Sequence, residues 1–149
     1  MTLKEKVYQY YHSLVLEKIK RLQDTIADLA IDAQNDAKGS AGDKHETALS
    51  MMHLEQEKLS QKVKEALEQK AILDSIDCSQ KNLVVSLGSL VYTNSLTFFV
   101  SLALPKIKIE GKEIIALSPQ SPLGIQLIGR KVNDEVQFNT TTYRILDIE

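Results

Sequence analysis
Glycine and proline, the residues that interrupt helices, are almost missing from the first half of this chain: no proline precedes Pro105, and only Gly39 and Gly42 precede Gly88. On either side of that one break run segments of about 3–37 and 43–75, rich in Leu, Lys, Glu, Gln and Ala, which favour helix. A connection as short as Lys38–Gly42 forces two successive helices to run antiparallel.

The apolar spacing says how such a pair would hold together. Tyr8, Val15, Leu22 and Leu29 recur every seven residues, with His12, Ile19, Ile26 and Ala33 four residues after each. That is an a/d seam. Leu49, Met52, Gln56, Leu59, Val63, Ala66, Lys70 and Leu73 repeat the alternation of three and four, with Gln56 and Lys70 as polar interruptions. At 1.5 Å per residue, a helix of about 35 residues extends about 50 Å, so much of the hairpin is expected to project as an arm.

From about Asn82 the pattern turns to short runs rich in Val, Leu, Ile, Phe and Thr, expected as strands at Leu83–Leu87, Leu90–Thr93, Leu96–Leu104, Ile107–Ile109 and Glu113–Leu117. Turn residues separate them at Thr93–Ser95 and Glu110–Lys112, and Pro105 marks a strand end or an edge. After Pro119 and Pro122, Leu123–Ile128 makes about two turns of helix that stop at Gly129, and strands near Glu135–Phe138 and Thr142–Ile148 follow. The fold class is α+β: residues 1–76 as a coiled-coil hairpin, residues 77–149 as a small antiparallel sheet with one helix.

Charge and composition exclude several functions. The net charge is −2 in 149 residues, so the chain as a whole is no glove for a phosphate backbone. Aromatic residues make up 5% and tryptophan is absent, which disfavours a base-stacking platform or an aromatic pocket. The single cysteine, Cys78, allows no internal disulfide or cysteine-based zinc cluster, and is most simply a small buried hydrophobe. The start of the chain has no apolar signal core and no stretch approaches a membrane span, so a cytoplasmic protein is expected, without membrane partners. No nucleophile–His–acid set, phosphate-binding glycine loop or zinc spacing occurs, and autonomous catalysis is unsupported.

Local charge is more telling. Residues 1–21 carry five basic and two acidic groups, whereas residues 22–46 carry two basic and six acidic. Asp24, Asp28, Asp32 and Asp36 stack along one helical face, which isolated helix stability would not favour. Such a run is commonly a solvated outer face; it can also steer an acidic rod toward metal ions or basic side chains. At the break the chain reads Gly42-Asp43-Lys44-His45-Glu46. Spacing alone favours Asp43 and Glu46 as the acidic form of a capping box. The alternative is a pair of hard oxygen ligands that completes a Mg²⁺ site supplied mainly by a partner, since Mg²⁺ takes six oxygens. His45 between them could relay a proton, but an exposed turn histidine is more often a bystander.

The run from Leu117 to Val136, reading Leu-Ser-Pro-Gln-Ser-Pro-Leu-Gly-Ile-Gln-Leu-Ile-Gly-Arg-Lys-Val-Asn-Asp-Glu-Val, resembles the Gre (GreA/GreB-like) transcript-cleavage factors of bacterial RNA polymerase. It is similar to that family's Ser-Pro-Leu-Gly, short helix, Leu-x-Gly-Lys and Gly-Asp-x-Val, with Tyr143–Ile148 as the last strand; with the hairpin and its acidic tip, the resemblance spans nearly the whole chain. It implies an FK506-binding-protein-like head that docks at the rim of the polymerase secondary channel, and an arm that enters toward the active site. Asp43 and Glu46 match the two acids that help hold the second catalytic Mg²⁺ there, so that the polymerase cuts its own backtracked RNA. The nascent RNA 3′ end is then an indirect partner, and Ser121, Pro122 and Leu123 are candidate rim contacts.

Two departures stand out. Where the family continues Asn-Ala-Glu-Tyr after the second acid, this chain reads Thr47-Ala48-Leu49-Ser50, and Asn133 replaces the glycine of the Gly-Asp turn. A cleavage factor acting as a monomer is therefore expected, with a channel-binding regulator that does not promote cleavage as the alternative. A prolyl isomerase would follow from the implied head fold alone, which does not license function.

Overall fold
The computed structural model describes residues 1–39 and 43–149, with side chains described for 1–32, 34 and 47–149. Two helices, α1 (Leu3–Gly39) and α2 (Asp43–Asp74), precede six strands, β1 (Leu90–Thr93), β2 (Thr97–Val100), β3 (Ile107–Ile109), β4 (Lys112–Leu117), β5 (Glu135–Phe138) and β6 (Thr141–Ile148), with α3 (Pro122–Leu127) between β4 and β5. The fold is α+β. Among the described residues no helix is long and apolar enough to cross a membrane.

The chain divides into two compact units that do not coincide with the helix ends: Ser13–Lys70 forms one, and Met1–His12 joins Ala71–Glu149 to form the other. In the Ser13–Lys70 unit the helices pack along the expected seams. Val15, Ile19, Leu59 and Ala66 are buried. Every seam position of α2 is buried or half-buried, and among its other residues from Thr47 onward only Ala48 and Gln69 are. The exposed face carries Asp24, Asp28 and Asp32 into solvent. A groove lined by Lys18, Arg21, Leu22 and Thr25 from α1 and Lys62 and Glu65 from α2 shows the antiparallel match.

In the other unit, Thr2 caps α1 by accepting the Glu5 N–H at 3.2 Å. The six strands form one sheet in the order β3-β4-β2-β1-β6-β5. Four pairings are antiparallel as expected, but β2 and β4 run parallel. After β2 the chain leaves the sheet through a segment containing Pro105, reaches the far edge as β3, and turns back as β4 into the space between β3 and β2. The β3–β4 turn is two residues, Glu110 and Gly111, both with positive φ (53° and 76°), the hairpin geometry that matches strand twist.

Adjacent residues of β2 point to opposite faces, so Phe98 and Phe99 enter different layers. Phe98 meets Tyr143 edge-on at 5.2 Å in a core with Val91, Val136, Ile145 and Ile148, closed by Leu127 of α3. Phe99 lies parallel to the ring of Tyr11 at 6.0 Å, so the first turns of α1 cover the other layer. This burial on both faces accounts for four consecutive buried residues in β2.

Two expected strands are corrected. Leu83–Leu87 is irregular: Val85 donates to the Arg130 carbonyl (2.9 Å) and accepts from Gly129 N–H (2.8 Å), and the Ser89 hydroxyl draws in the Ser86 N–H at 2.9 Å. Only Val85 of that run enters the core, while Leu83 is 85% exposed. The run Leu96–Leu104 shortens to β2, because after Ser101 N–H reaches the Leu117 carbonyl (2.8 Å) the chain departs toward β3.

Candidate functional site
The acid pair opens α2, with Asp43 as its first residue and Glu46 one turn later. Residues 40–42 and the side chains of Asp36, Asp43, His45 and Glu46 lie outside the described residues. Just beyond, Thr47 and Ser50 are exposed and Leu49 turns into the seam. Among the described residues no group of three or more His, Cys, Asp or Glu side chains could hold a metal ion. The donor chemistry of Asp43 and Glu46 suits Mg²⁺, but two carboxylates leave most of its coordination to water, phosphate or another protein.

The loop before α3 is built residue by residue from the expected motif. Ser121 is the N-cap, its hydroxyl accepting the Gly124 N–H at 3.1 Å and donating to the Ser118 carbonyl at 2.6 Å. Pro122 occupies the first turn, where a missing N–H costs nothing, and is exposed. Leu123 packs on the core. At Gly124 an added Cβ would lie 2.0 Å from the Ser118 carbonyl oxygen, so only glycine fits. Of the three candidate contact residues, then, Ser121 and Leu123 are held by the fold and Pro122 faces solvent, beside Ile125, which is 65% exposed.

The Asn133 departure is accommodated by its backbone. Its φ is 76°, in the left-handed region that glycine and asparagine tolerate, and its N–H donates to the Ile145 carbonyl at 2.8 Å. Asp134 then accepts the Lys131 N–H at 2.8 Å, closing the turn.

Sequence reasoning missed a second buried stripe on α1. Lys4, Val7 and Tyr11 are buried, and the apolar pair at i, i+4 beside the heptad seam was the available signal. Tyr11 donates to the Pro105 carbonyl at 2.7 Å, and burial pushes its hydroxyl up to about 12. Lys6 pairs with Glu110, whose carboxyl that ammonium holds below the usual range. His12 Nε2 lies 2.8 Å from Asp74 Oδ1, and its ring stacks on Tyr8. Cys78, expected to be buried, is partly exposed, because residues 77–80 turn at the surface with Asp77 accepting from Ser79.

No protein-family model matches the chain, and no curated protein matches it. Among solved structures it is similar to the crystal structure of GreA factor homolog 1 (Gfh1) of Thermus thermophilus, at 17% identity over 93% of this chain and 94% of that one, with a TM-score of 0.36. At that score the likeness is loose, and the α+β fold stands on the elements described above.

Proposed function
We propose that this protein is a Gre-type transcription elongation factor, an accessory protein with no catalysis of its own. It binds bacterial RNA polymerase through the secondary channel and stimulates the polymerase's cleavage of backtracked RNA. The observation that supports this is the pairing, in one chain, of two acids at the break of a long helical hairpin with the Ser121-Pro122-Leu123-Gly124 loop on a sheet unit. Asp43 and Glu46 would hold Mg²⁺ jointly with the polymerase, and that ion supplies charge stabilisation and an activated water when bound. The acidic face of α1 at Asp24, Asp28 and Asp32 favours approach to a cation-rich site. Pro122 is the most accessible candidate for rim contact, and the factor works in the cytoplasm as a monomer.

A second reading is a channel-binding regulator that does not stimulate cleavage. Leu49 favours it, because a side chain turned into the seam contributes no polar group next to the acid pair. The two are separated by adding the protein to a stalled, backtracked elongation complex from its own host and following the RNA 3′ end. RNA shortening by wild type that is lost in Asp43→Asn/Glu46→Gln is expected; polymerase binding with no shortening by wild type would replace the first reading by the second.

A further inference from the structure
One stripe of α1, inside the Ser13–Lys70 unit, changes sign along its length. Lys18, Arg21, Thr25, Asp28 and Asp32 follow one another in steps of three and four, so they share one helical face, and all five are exposed. The cations stand before Thr25 and the carboxylates after it. At the basic end Lys62 and Glu65 of α2 line the same groove as Lys18 and Arg21, three cations to one carboxylate. Among the described residues none of Lys18, Arg21, Asp28 and Asp32 makes an ion pair. Thr25 donates its hydroxyl to the Arg21 carbonyl at 2.8 Å, so the centre of the stripe asks for no polar partner.

Helix stability does not explain this order. Asp24, Asp28 and Asp32 are like charges one turn apart, and interleaved lysines and aspartates at i, i+4 would stabilise the helix instead. What the segregation supplies is self-complementarity. Lys18 lies seven residues before Thr25 and Asp32 seven after it, while Arg21 lies four before and Asp28 three after. A two-fold axis through Thr25 lays two α1 helices antiparallel, with Lys18 of one protomer level with Asp32 of its partner. Arg21 then comes within one residue, about 1.5 Å along the axis, of the partner's Asp28, and each contact occurs twice. We infer that this face is a self-association surface, on which two copies of the chain pair along α1 with the basic end of each stripe on the acidic end of the other. A partner of uniform charge would be repelled by one half of the stripe, whereas a second copy is attracted by both. Exposed ion pairs are individually weak and are screened by salt, so the pairing is reversible and forms at high protein concentration and low ionic strength. Under the channel reading proposed above, and resting on it, the paired form covers Asp28 and Asp32 and keeps the arm in reserve.

The test is analytical ultracentrifugation of the full chain, in a concentration series up to about 0.5 mM in about 20 mM NaCl. The weight-average mass is expected to climb from one copy toward two, and to fall back to one copy in about 0.5 M NaCl. Lys18→Glu/Arg21→Glu makes the stripe wholly acidic and Asp28→Lys/Asp32→Lys makes it wholly basic, so each should need about tenfold more protein than wild type to pair, with unchanged circular dichroism. Mixed in equal amounts the two variants should pair again, since each supplies what the other lacks. A mass of one copy throughout the series, a mass that salt does not lower, growth past two copies, or a mixture of folded variants that stays monomeric would overturn the assignment. The concentration and salt arms decide if a variant fails to fold.

Discussion

Alanine at Gly124 would force a Cβ to within 2.0 Å of the Ser118 carbonyl oxygen, a backbone atom that cannot swing aside. Gly124→Ala is expected to cost about 3 kcal/mol and Ser121→Ala, which removes a cap, about 1 kcal/mol, both measured by urea denaturation. Because these residues hold the loop together, loss of polymerase binding in either would report folding as readily as contact. Pro122 is the cleaner probe: Pro122→Glu should weaken polymerase binding at an unchanged melting temperature, and undiminished binding would remove this loop from the interface. Tyr11 carries a pH prediction. Burial raises its hydroxyl from 10.0 to about 12, so the neutral form is favoured in the folded state. Stability from this group is complete below pH 10 and lost as pH rises through about 12. Denaturation across that window should show the loss, with a shallower slope in Tyr11→Phe.

Within the Ser13–Lys70 unit, the α2 seam has one clear weakness. Gln56 is half-buried on it, where a leucine would bury apolar surface instead of an amide. Gln56→Leu should stabilise the helical pair by about 1 kcal/mol, read as a higher melting temperature by circular dichroism. Apart from Ala33, whose side chain lies outside the described residues, the seam is legible in the sequence because a heptad spacing fixes which face of a helix is covered, whatever the partner. Leu83–Leu87 was misread for the opposite reason. Its residues favour strand, but strand identity depends on a neighbour with free ladder positions, and Val85 pairs only with the loop after α3. The stripe of Lys4, Val7 and Tyr11 was hidden because the same few turns also carry Tyr8 and His12 of the seam. At the candidate site, the motif around Ser121 is visible as residues, whereas its division into inward Ser121 and Leu123 and outward Pro122 depends on the Ser121 cap and on the core that Leu123 packs against.

Across the molecule, the sheet unit is discontinuous in sequence. Tyr11 covers Phe99, Lys4 reaches Gln80 and Lys6 reaches Glu110. A fragment of residues 77–149 lacks that cover, leaving one face of β2 open to water. It is expected to fold poorly alone, with broad transitions and dye binding, and to gain cooperativity when residues 1–76 are restored; a sharp, full-strength transition in the fragment would show that the cover is dispensable. The same discontinuity orders events on the ribosome. Residues 1–12 emerge well before the strands they pack on, so they wait while the helical pair that lies between them in the sequence has all it needs to zip up. The sheet unit is thus sealed by residues that were made well before its strands.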